Sequence, residues 1–435
     1  MGAAPRDRHD VTYFGAGPAT LPTEVLQKAS RAMVNYHDTG IGLLEHSHRS
    51  AYASTILDDT RSDLIKFLGI PRQKYEVLFM QGGGTAQFAA TALNLVGSWV
   101  LRRHEELQAG EDAEHLNQPA RMQRLRAALD DDLQLDYIVT GGWSQKAAAE
   151  AIRLLGPERV NIVTDARQHN DGKYGVIPDE STWTLSKDPA MVYYCDNETV
   201  DGVEFPDFPS VLEPRLDGTG PVVVADMSSN ILSRKVPITK FGVIFFGAQK
   251  NLGPAGITIV VIRKDLLPQP SGNMMRQLGL PLAPSILQYE TIAKNHSLYN
   301  TLNILDVYIA GLVLRKLLAT YPDKVAGQEA VSATKAKLLY DALDAYPEVY
   351  KVVPHRSARS RMNVCFRIIK NSADEAAEEE EEEAEKSFLS EADAKGLAGL
   401  KGHRSVGGIR ASIYNSIPLE GVEKLALFIE RFARS

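Results

Sequence analysis

The stretch Val243-Ile244-Phe245-Phe246-Gly247-Ala248-Gln249-Lys250-Asn251-Leu252-Gly253-Pro254-Ala255-Gly256 decides how the chain is read. Its four leading apolar residues read as a buried strand, and the Gly/Pro-rich end can only be a loop. A lysine delivered by a core strand into such a loop is held in place and partly desolvated. That lowers its pKa and makes a neutral, nucleophilic amine accessible, as Schiff-base chemistry requires. Taken alone, the stretch reads more readily as a surface lysine at a strand end, and Asp226 shifts the reading.

A second apolar run, 222–225, ends in Asp226-Met227-Ser228-Ser229, twenty-four residues before the lysine. If both strands lie in one parallel sheet, their carboxyl ends share the edge where open α/β folds bind ligands. An acid and a lysine there can grip opposite ends of one aromatic cofactor, pyridoxal 5′-phosphate, with the lysine as an imine on its aldehyde and the carboxylate facing the pyridinium nitrogen. The plain alternative for Asp226 is a helix N-cap after a strand. The pair is more specific than either residue.

Working outward, short apolar runs at 75–80, 137–139, 160–163, 191–194, 222–225, 243–246 and 257–262 alternate with helical patterns. This alternation predicts an α/β fold: a large domain with a mostly parallel seven-stranded sheet flanked by helices. A long helix at 302–318, an amphipathic helix at 325–346, a strand at 362–369 and a closing helix at 419–432 behind Pro418 predict a smaller C-terminal α/β domain. The expected division is an N-terminal arm over 1–22 at the active site, a large cofactor-binding domain over 23–301 and a small domain over 302–435. Two segments read as insertions. Residues 102–132 are charged and helix-prone without a strong apolar face, and 371–386 form an acidic surface insertion expected as a solvated loop or frayed helix start.

With 435 residues the chain is too long for one typical core, and 44% hydrophobic and 24% charged residues are ordinary for a globular protein. The net charge of −7 is local in origin: nine acids and no base lie between 374 and 385, outside which 46 acids face 48 Lys and Arg. The nearly neutral remainder offers no nucleic-acid surface. No run of about 18 apolar residues suggests a membrane span, and the N-terminus lacks a signal core, so a cytoplasmic location is expected. Two cysteines, Cys195 and Cys365, fit a reducing compartment and exclude a disulfide scaffold or a Cys-built zinc site. No metal site is expected.

Gln81-Gly82-Gly83-Gly84-Thr85 follows the strand at 75–80 and opens a helical run, a place where glycines let backbone approach a phosphate and a helix N-terminus attracts it. It is neither a dinucleotide fingerprint nor a Walker loop. A second strand-to-helix turn, Gly141-Gly142-Trp143-Ser144, is expected to expose an indole able to stack on a ring, although core burial is the usual fate of tryptophan. His46-Ser47-His48-Arg49, the pair His403-Arg404 and Arg410 are basic groups beside Gly-rich turns, suited to small dianions if they converge and to structural ion pairs if they do not.

These motifs resemble the phosphoserine aminotransferases, class-V members of the fold-type I pyridoxal-phosphate transferases. The resemblance is carried by Phe14-Gly15-Ala16-Gly17-Pro18-Ala19, His46–Arg49, Gly82–Phe88, Tyr194–Gly202, Ala225–Ser233, Gly247–Gly256, Ser360–Val364 and Lys401–Ser416, in the family's order and over almost the whole chain. It implies that Lys250 forms the imine with the cofactor aldehyde, Asp226 pairs with the pyridine nitrogen, Trp143 stacks on the ring and Thr199 hydrogen-bonds its 3-hydroxyl. Gly84, Thr85 and Gln249 would hold the cofactor phosphate, with Asn300 and Thr301 reaching it from the neighbouring subunit of a homodimer whose active sites lie at the subunit interface. Arg410 would take the substrate α-carboxylate. His48, Arg49, His403 and Arg404 would take the distal anion. The implied substrates are L-glutamate and 3-phosphohydroxypyruvate, which share an α-carboxylate and a second anion.

The chain departs from the family pattern at three places. Thr85 stands where arginine is frequent, Leu302-Asn303 replaces a Pro-Pro pair, and Ala16 replaces a common serine. Alanine–glyoxylate transamination and cysteine desulfuration are the competing class-V activities. The first does not need the His-Arg pairs, and the second needs a cysteine on a mobile loop, whereas both cysteines sit in strand-like stretches. A non-catalytic relative would be expected to have lost Lys250 or the anion clamps.

Overall fold

The computed structural model describes residues 6–109, 117–214, 220–369 and 377–435, with backbone alone for 377 and 378. All seven expected runs are strands of one sheet: β1 (Tyr75–Met80), β2 (Leu135–Val139), β3 (Val160–Asp165), β4 (Met191–Cys195), β5 (Val223–Asp226), β6 (Val243–Gly247) and β7 (Thr258–Arg263). Their spatial order is β1-β7-β6-β5-β4-β2-β3. Only β7 runs antiparallel to its neighbours, so the other six carboxyl ends share one edge.

The apolar runs are continuous because both faces of the sheet are covered. Successive residues point to opposite sides, so Val223, Ala225, Ile244 and Phe246 enter one core with helices α1 (Thr23–Val34) and α2 (Ala51–Leu68). Val224, Val243 and Phe245 enter the other with α3 (Gly83–Ala109), α4 (Gln118–Asp132) and α5 (Gly142–Leu155). Ser50 caps the start of α2 by accepting from the Ala53 N–H, and Gly69 ends it in the left-handed region at φ 69°. The 102–132 segment is more integrated than expected. Its first part continues α3, α4 buries Leu125 and Leu129, and residues 110–116 lie outside the described residues.

Helix α6 (Ile304–Thr320) buries Val307, Ala310 and Leu314 in the same core as α1 and α2. Packing thus ties it to the large body, and we propose that the domain boundary falls at the turn before α7 (Val325–Asp344) rather than at 302. The C-terminal body has its own apolar cluster, built from α7, strands β8 (Tyr350–Val352), β9 (Asn363–Ile368) and β10 (Ile409–Ser412), and helices α8 (Ala377–Ala394) and α9 (Leu419–Ala433). Of the acidic 371–386 segment, residues 371–376 lie outside the described residues, and the rest is the start of α8 rather than a loop. Burial of Phe388 and Ala392 supports this helix, and Glu385 is itself buried against Arg367. Acids in its early turns also suit the helix dipole. In the N-terminal arm, Thr12 and Tyr13 pair in parallel with Leu397 and Ala398.

Lys335 on α7 is wholly buried. Its Nζ donates to the carbonyls of Ile413 at 3.0 Å, Tyr414 at 2.8 Å and Ile417 at 3.0 Å. Burial pushes this amine down to about 7. The turn it holds also receives the N-terminal arm, because the Tyr414 hydroxyl donates to the Ala16 carbonyl at 2.9 Å. Lys335→Met would strand three buried carbonyls and should lower stability by roughly 2–4 kcal/mol, read as a lower urea midpoint at unchanged slope.

Candidate active site

Asp226 closes β5 and lies opposite Phe245 of β6 in parallel register; Lys250 comes three residues after β6 ends at Gly247. Acid and amine therefore reach the same sheet edge, and both line one cavity of about 430 Å³. Ser228 braces the two strand tips. Its N–H and hydroxyl donate to Asp226 Oδ1 at 2.9 and 2.6 Å, while its Oγ accepts from the Gly247 N–H at 3.1 Å. No helix follows Asp226, so it is not a helix N-cap; it closes a turn with Ser228 that occupies only one carboxylate oxygen. Oδ2 faces Gly84 and would lie 3.6 Å from a Cβ added there.

Lys250 Nζ donates to Thr199 Oγ1 at 2.7 Å. Burial lowers the lysine pKa, with Asp226 acting in the opposite direction; burial raises Asp226, opposed by Ser228 and Lys250. Each group is therefore shifted toward its neutral form, and a bound cation at Oδ2 would favour the carboxylate. On the far side, Gly83, Gly84 and Thr85 of the first turn of α3 line the cavity. Gly82 and Gly83 adopt φ of 99° and 66°, which L side chains resist, and the Gly83 N–H donates to Thr258 Oγ1 at 3.0 Å. The start of α3 offers N–H groups without intrahelical acceptors to an anion.

Trp143 enters from the start of α5 and is half-buried rather than freely exposed; its Nε1 is buried without a partner. Its backbone is fixed by a group that sequence reasoning did not single out. Glu198 accepts from the Trp143 N–H at 2.9 Å, the Ser144 N–H at 2.9 Å and the Ser144 hydroxyl at 2.6 Å. Asp201 accepts from the Gly142 N–H at 3.2 Å. Gly141 must lack a side chain, because a Cβ would meet Glu198 Cδ at 2.4 Å. The signal for these acids was the helix start after β2, which asks for an acceptor in space that the sequence cannot locate.

Arg410 on β10 is 9% exposed and donates to the Thr199 carbonyl at 3.3 Å, with its Nε buried and unpartnered. It forms no ion pair with any described carboxylate. A buried cation in this state is prepared for an incoming anion. His403 lines the same cavity, and burial together with Arg410 lowers its pKa. Gln249 lines it too. Arg404 sits on the same turn as His403 but outside the lining residues.

His48 and Arg49, expected at the distal anion, stand just before α2 and do not line this cavity, nor do Asn300 and Thr301. His48 Nε2 is buried and unpartnered, while Arg49 and Thr301 are exposed. Asn300 Nδ2 donates to Gln81 Oε1. A larger cavity of about 1010 Å³ runs between the N-terminal arm and α6 and α9. Beside it, Asp7, His9 and Asp10 are close enough to share an ion, but all three are exposed.

The cavity thus presents a desolvated amine, a carboxylate with one free oxygen, an indole and a glycine cradle at a helix start. This set fits a flat aromatic aldehyde carrying a phosphate. The sequence matches the family described as aminotransferase class-V over residues 11–122 and 120–425. It is 40% identical to the phosphoserine aminotransferase of Saccharomyces cerevisiae, with 98% of each chain covered. It is 41% identical to that of Drosophila melanogaster, covering 98% of this chain and 99% of the other. Among solved structures, pyridoxal-phosphate-bound phosphoserine aminotransferase from Trichomonas vaginalis superposes with a TM-score of 0.77 at 32% identity, over 97% of this chain and 99% of that one. The chain belongs to the class-V aminotransferases. Within that class it falls in the phosphoserine aminotransferase family.

Burial and the neighbouring Asp201 push Glu198 up to about 7, against the donors on Ser144 and Trp143; burial pushes Asp201 up to about 6, against Arg410. Raised acids bind protons in the folded state that the unfolded chain has lost. Their contribution is present in full below about pH 4 and is lost as pH rises through about 6 to 7. Glu198→Gln should therefore flatten the fall in urea stability between pH 5 and 8 by roughly 1–3 kcal/mol.

Proposed function

We propose that this chain carries out the reversible, pyridoxal-phosphate-dependent transfer of the amino group from L-glutamate to 3-phosphohydroxypyruvate, giving O-phospho-L-serine and 2-oxoglutarate in L-serine biosynthesis. The observation that carries the reading is the half-buried Lys250 amine beside the buried Asp226, in a cavity that also holds Arg410, which pairs with no described carboxylate. Family membership supports the chemistry. Lys250 and Asp226 are the catalytic residues of this proposal, and Gly84, Thr85, Trp143, Thr199 and Gln249 are the cofactor contacts supplied by the same chain.

When bound, the cofactor supplies an electron sink for the substrate's α-carbon. Asp226 Oδ2 would face the ring nitrogen and favour its protonated form, and the indole of Trp143 would lie against the ring. Burial lowers the Lys250 pKa and so favours the neutral amine that would take the proton from the α-carbon of the amino acid and return one in the reverse half. Thr199 orients this amine. Arg410 binds the α-carboxylate shared by both substrates, and His403 with Arg404 meets the distal anion. One set of clamps therefore serves both half-reactions of a ping-pong cycle.

A homodimer completes the proposal. Met33, Val34, Ile41, Leu44, Tyr52 and Tyr299 are large exposed apolar residues, and all but Tyr299 fall on α1, α2 and the loop between them. His48 and Arg49 lie on that same stretch, and α2 packs on α6 just beyond Asn300 and Thr301, through the Thr60 hydroxyl donating to the Val307 carbonyl at 3.2 Å. Pairing this surface with a second copy would carry all four residues to the partner's cavity. No helix among the described residues is long and apolar enough to cross a membrane, and we propose a cytoplasmic location.

Glutamate should bleach the visible absorbance of the purified holoprotein and 3-phosphohydroxypyruvate should restore it. Lys250→Ala should abolish both the band and turnover, and normal transamination by that variant would refute the assignment. Mixing inactive Lys250→Ala subunits with Arg49→Ala subunits should recover activity above either alone, because one site of the mixed dimer regains both groups. No recovery would place Arg49 in its own subunit's site or outside the site altogether.

A further inference from the structure

The turn that carries His403 and Arg404 is compact. The Gly402 N–H donates to the Gly408 carbonyl at 2.8 Å, and the N–H groups of Val406 and Gly407 both donate to the His403 carbonyl, at 3.0 and 2.9 Å. One side of it rests on the side chain of Arg367 from β9. A Cβ at Gly408 would lie 2.6 Å from Arg367 Cδ and 2.9 Å from the Phe366 carbonyl oxygen, and Gly407 and Gly408 take φ of 67° and 70°. The double glycine therefore lets the turn lie flat on the arginine. Arg367 Nη1 also donates to the Val406 carbonyl at 3.4 Å.

Arg367 is in turn fixed by the acidic helix. Its Nε donates to Glu385 Oε1 at 2.5 Å, and the same oxygen accepts from the Ile368 N–H at 3.4 Å. Glu385 is 7% exposed, unlike its exposed neighbours on α8. Glu381 and Glu382 from the preceding turn line the cleft, shared with Arg367 and Val406, that runs to Arg410. The helix thus does more than decorate the surface. The one buried acid among its described residues ends a chain of contacts from Glu385 through Arg367 to the 402–408 turn.

We propose that Arg367 and Glu385 are positioning residues for the distal-anion end of the site: Glu385 fixes Arg367, and Arg367 sets the height of the 402–408 turn and hence of His403 and Arg404. The inference rests on the reading of His403 and Arg404 as the distal-anion clamp. Neither positioning residue touches substrate. Glu385 also neutralises Arg367, so that this guanidinium does not draw the distal anion away from the clamp.

The test is steady-state kinetics of the holoenzyme with O-phospho-L-serine and with L-alanine, which lacks a distal anion, together with inhibition by inorganic phosphate. Arg367→Met and the milder Glu385→Gln should each raise KM for phosphoserine and the phosphate inhibition constant on the order of tenfold. They should change kcat less than about twofold and leave kcat/KM for alanine unchanged. Equal losses on both amino acids, or an unchanged phosphoserine KM in two folded variants, would overturn the proposal. The double variant His403→Ala/Arg404→Ala separates the two readings. If it keeps full discrimination for phosphoserine, the clamp reading fails; if it loses discrimination while both positioning variants keep theirs, only the present inference fails.

Discussion

Everything at the site depends on an amine and a carboxylate held at the same edge of a parallel sheet, the acid buried and the amine half-buried. Parallel pairing of β5 with β6 leaves no freedom in this: Asp226 stands beside Phe245, and the turn after Gly247 returns Lys250 over the strand ends. Neither charge is fully compensated by the other, which is why burial lowers the lysine and raises the acid together. A well-formed ion pair would have pushed both the other way and left an inert bridge. The Ser228 brace avoids that by occupying one carboxylate oxygen and leaving the second to a ligand.

The arginine that completes the cavity comes from the C-terminal body, so catalysis requires the two bodies to be locked together. A buried polar chain does this directly behind the cavity. Asn197 Nδ2 donates to Asn363 Oδ1 at 2.8 Å, and Asn363 Nδ2 donates to Ser412 Oγ at 2.9 Å and the Tyr414 hydroxyl at 3.2 Å. Beside it, Glu204 meets Arg361 and Arg234; although burial opposes it, these two guanidiniums hold the carboxyl below its ordinary range. Such networks tolerate no missing member, because each buried group left alone would carry its full desolvation cost. They fix the interdomain geometry to the accuracy that Arg410 needs.

Much of this was legible in the sequence, and the reason is physical. A sheet covered on both faces writes itself as seven apolar runs, and Gly-rich turns mark where backbone must pass close to a ligand. Lys250, Asp226 and Trp143 follow strands or begin helices, so local signals place them on the cavity, whereas Thr199 is implied by the family resemblance alone. What the sequence hides is partnership across space. Glu198 looks like any acid until α5 is seen to begin on top of it. Glu385 is one glutamate in an acidic run, and only the strand opposite distinguishes it. His48 and Arg49 carry a clear local motif, but they do not line the cavity of their own chain, and under the proposed homodimer their destination would depend on a surface rather than on a fold.

In the proposed reaction the two ends of the substrate would be treated in opposite ways, and the chemistry explains why. At the α-carboxylate end the geometry must be fixed, because the bond that changes lies one atom away and small misplacements cost rate steeply. Arg410 is accordingly buried on a strand, with its guanidinium anchored on the Thr199 carbonyl. At the distal end the proposed reaction would require two different anions, a carboxylate and a phosphate, to be accepted in turn at different distances from the reacting carbon. There the cations sit on a turn whose glycines let it rest on a neighbouring side chain. A grip shaped for one anion alone would stall the other half of the proposed cycle, so the height at which Arg367 holds this turn would have to suit both anions.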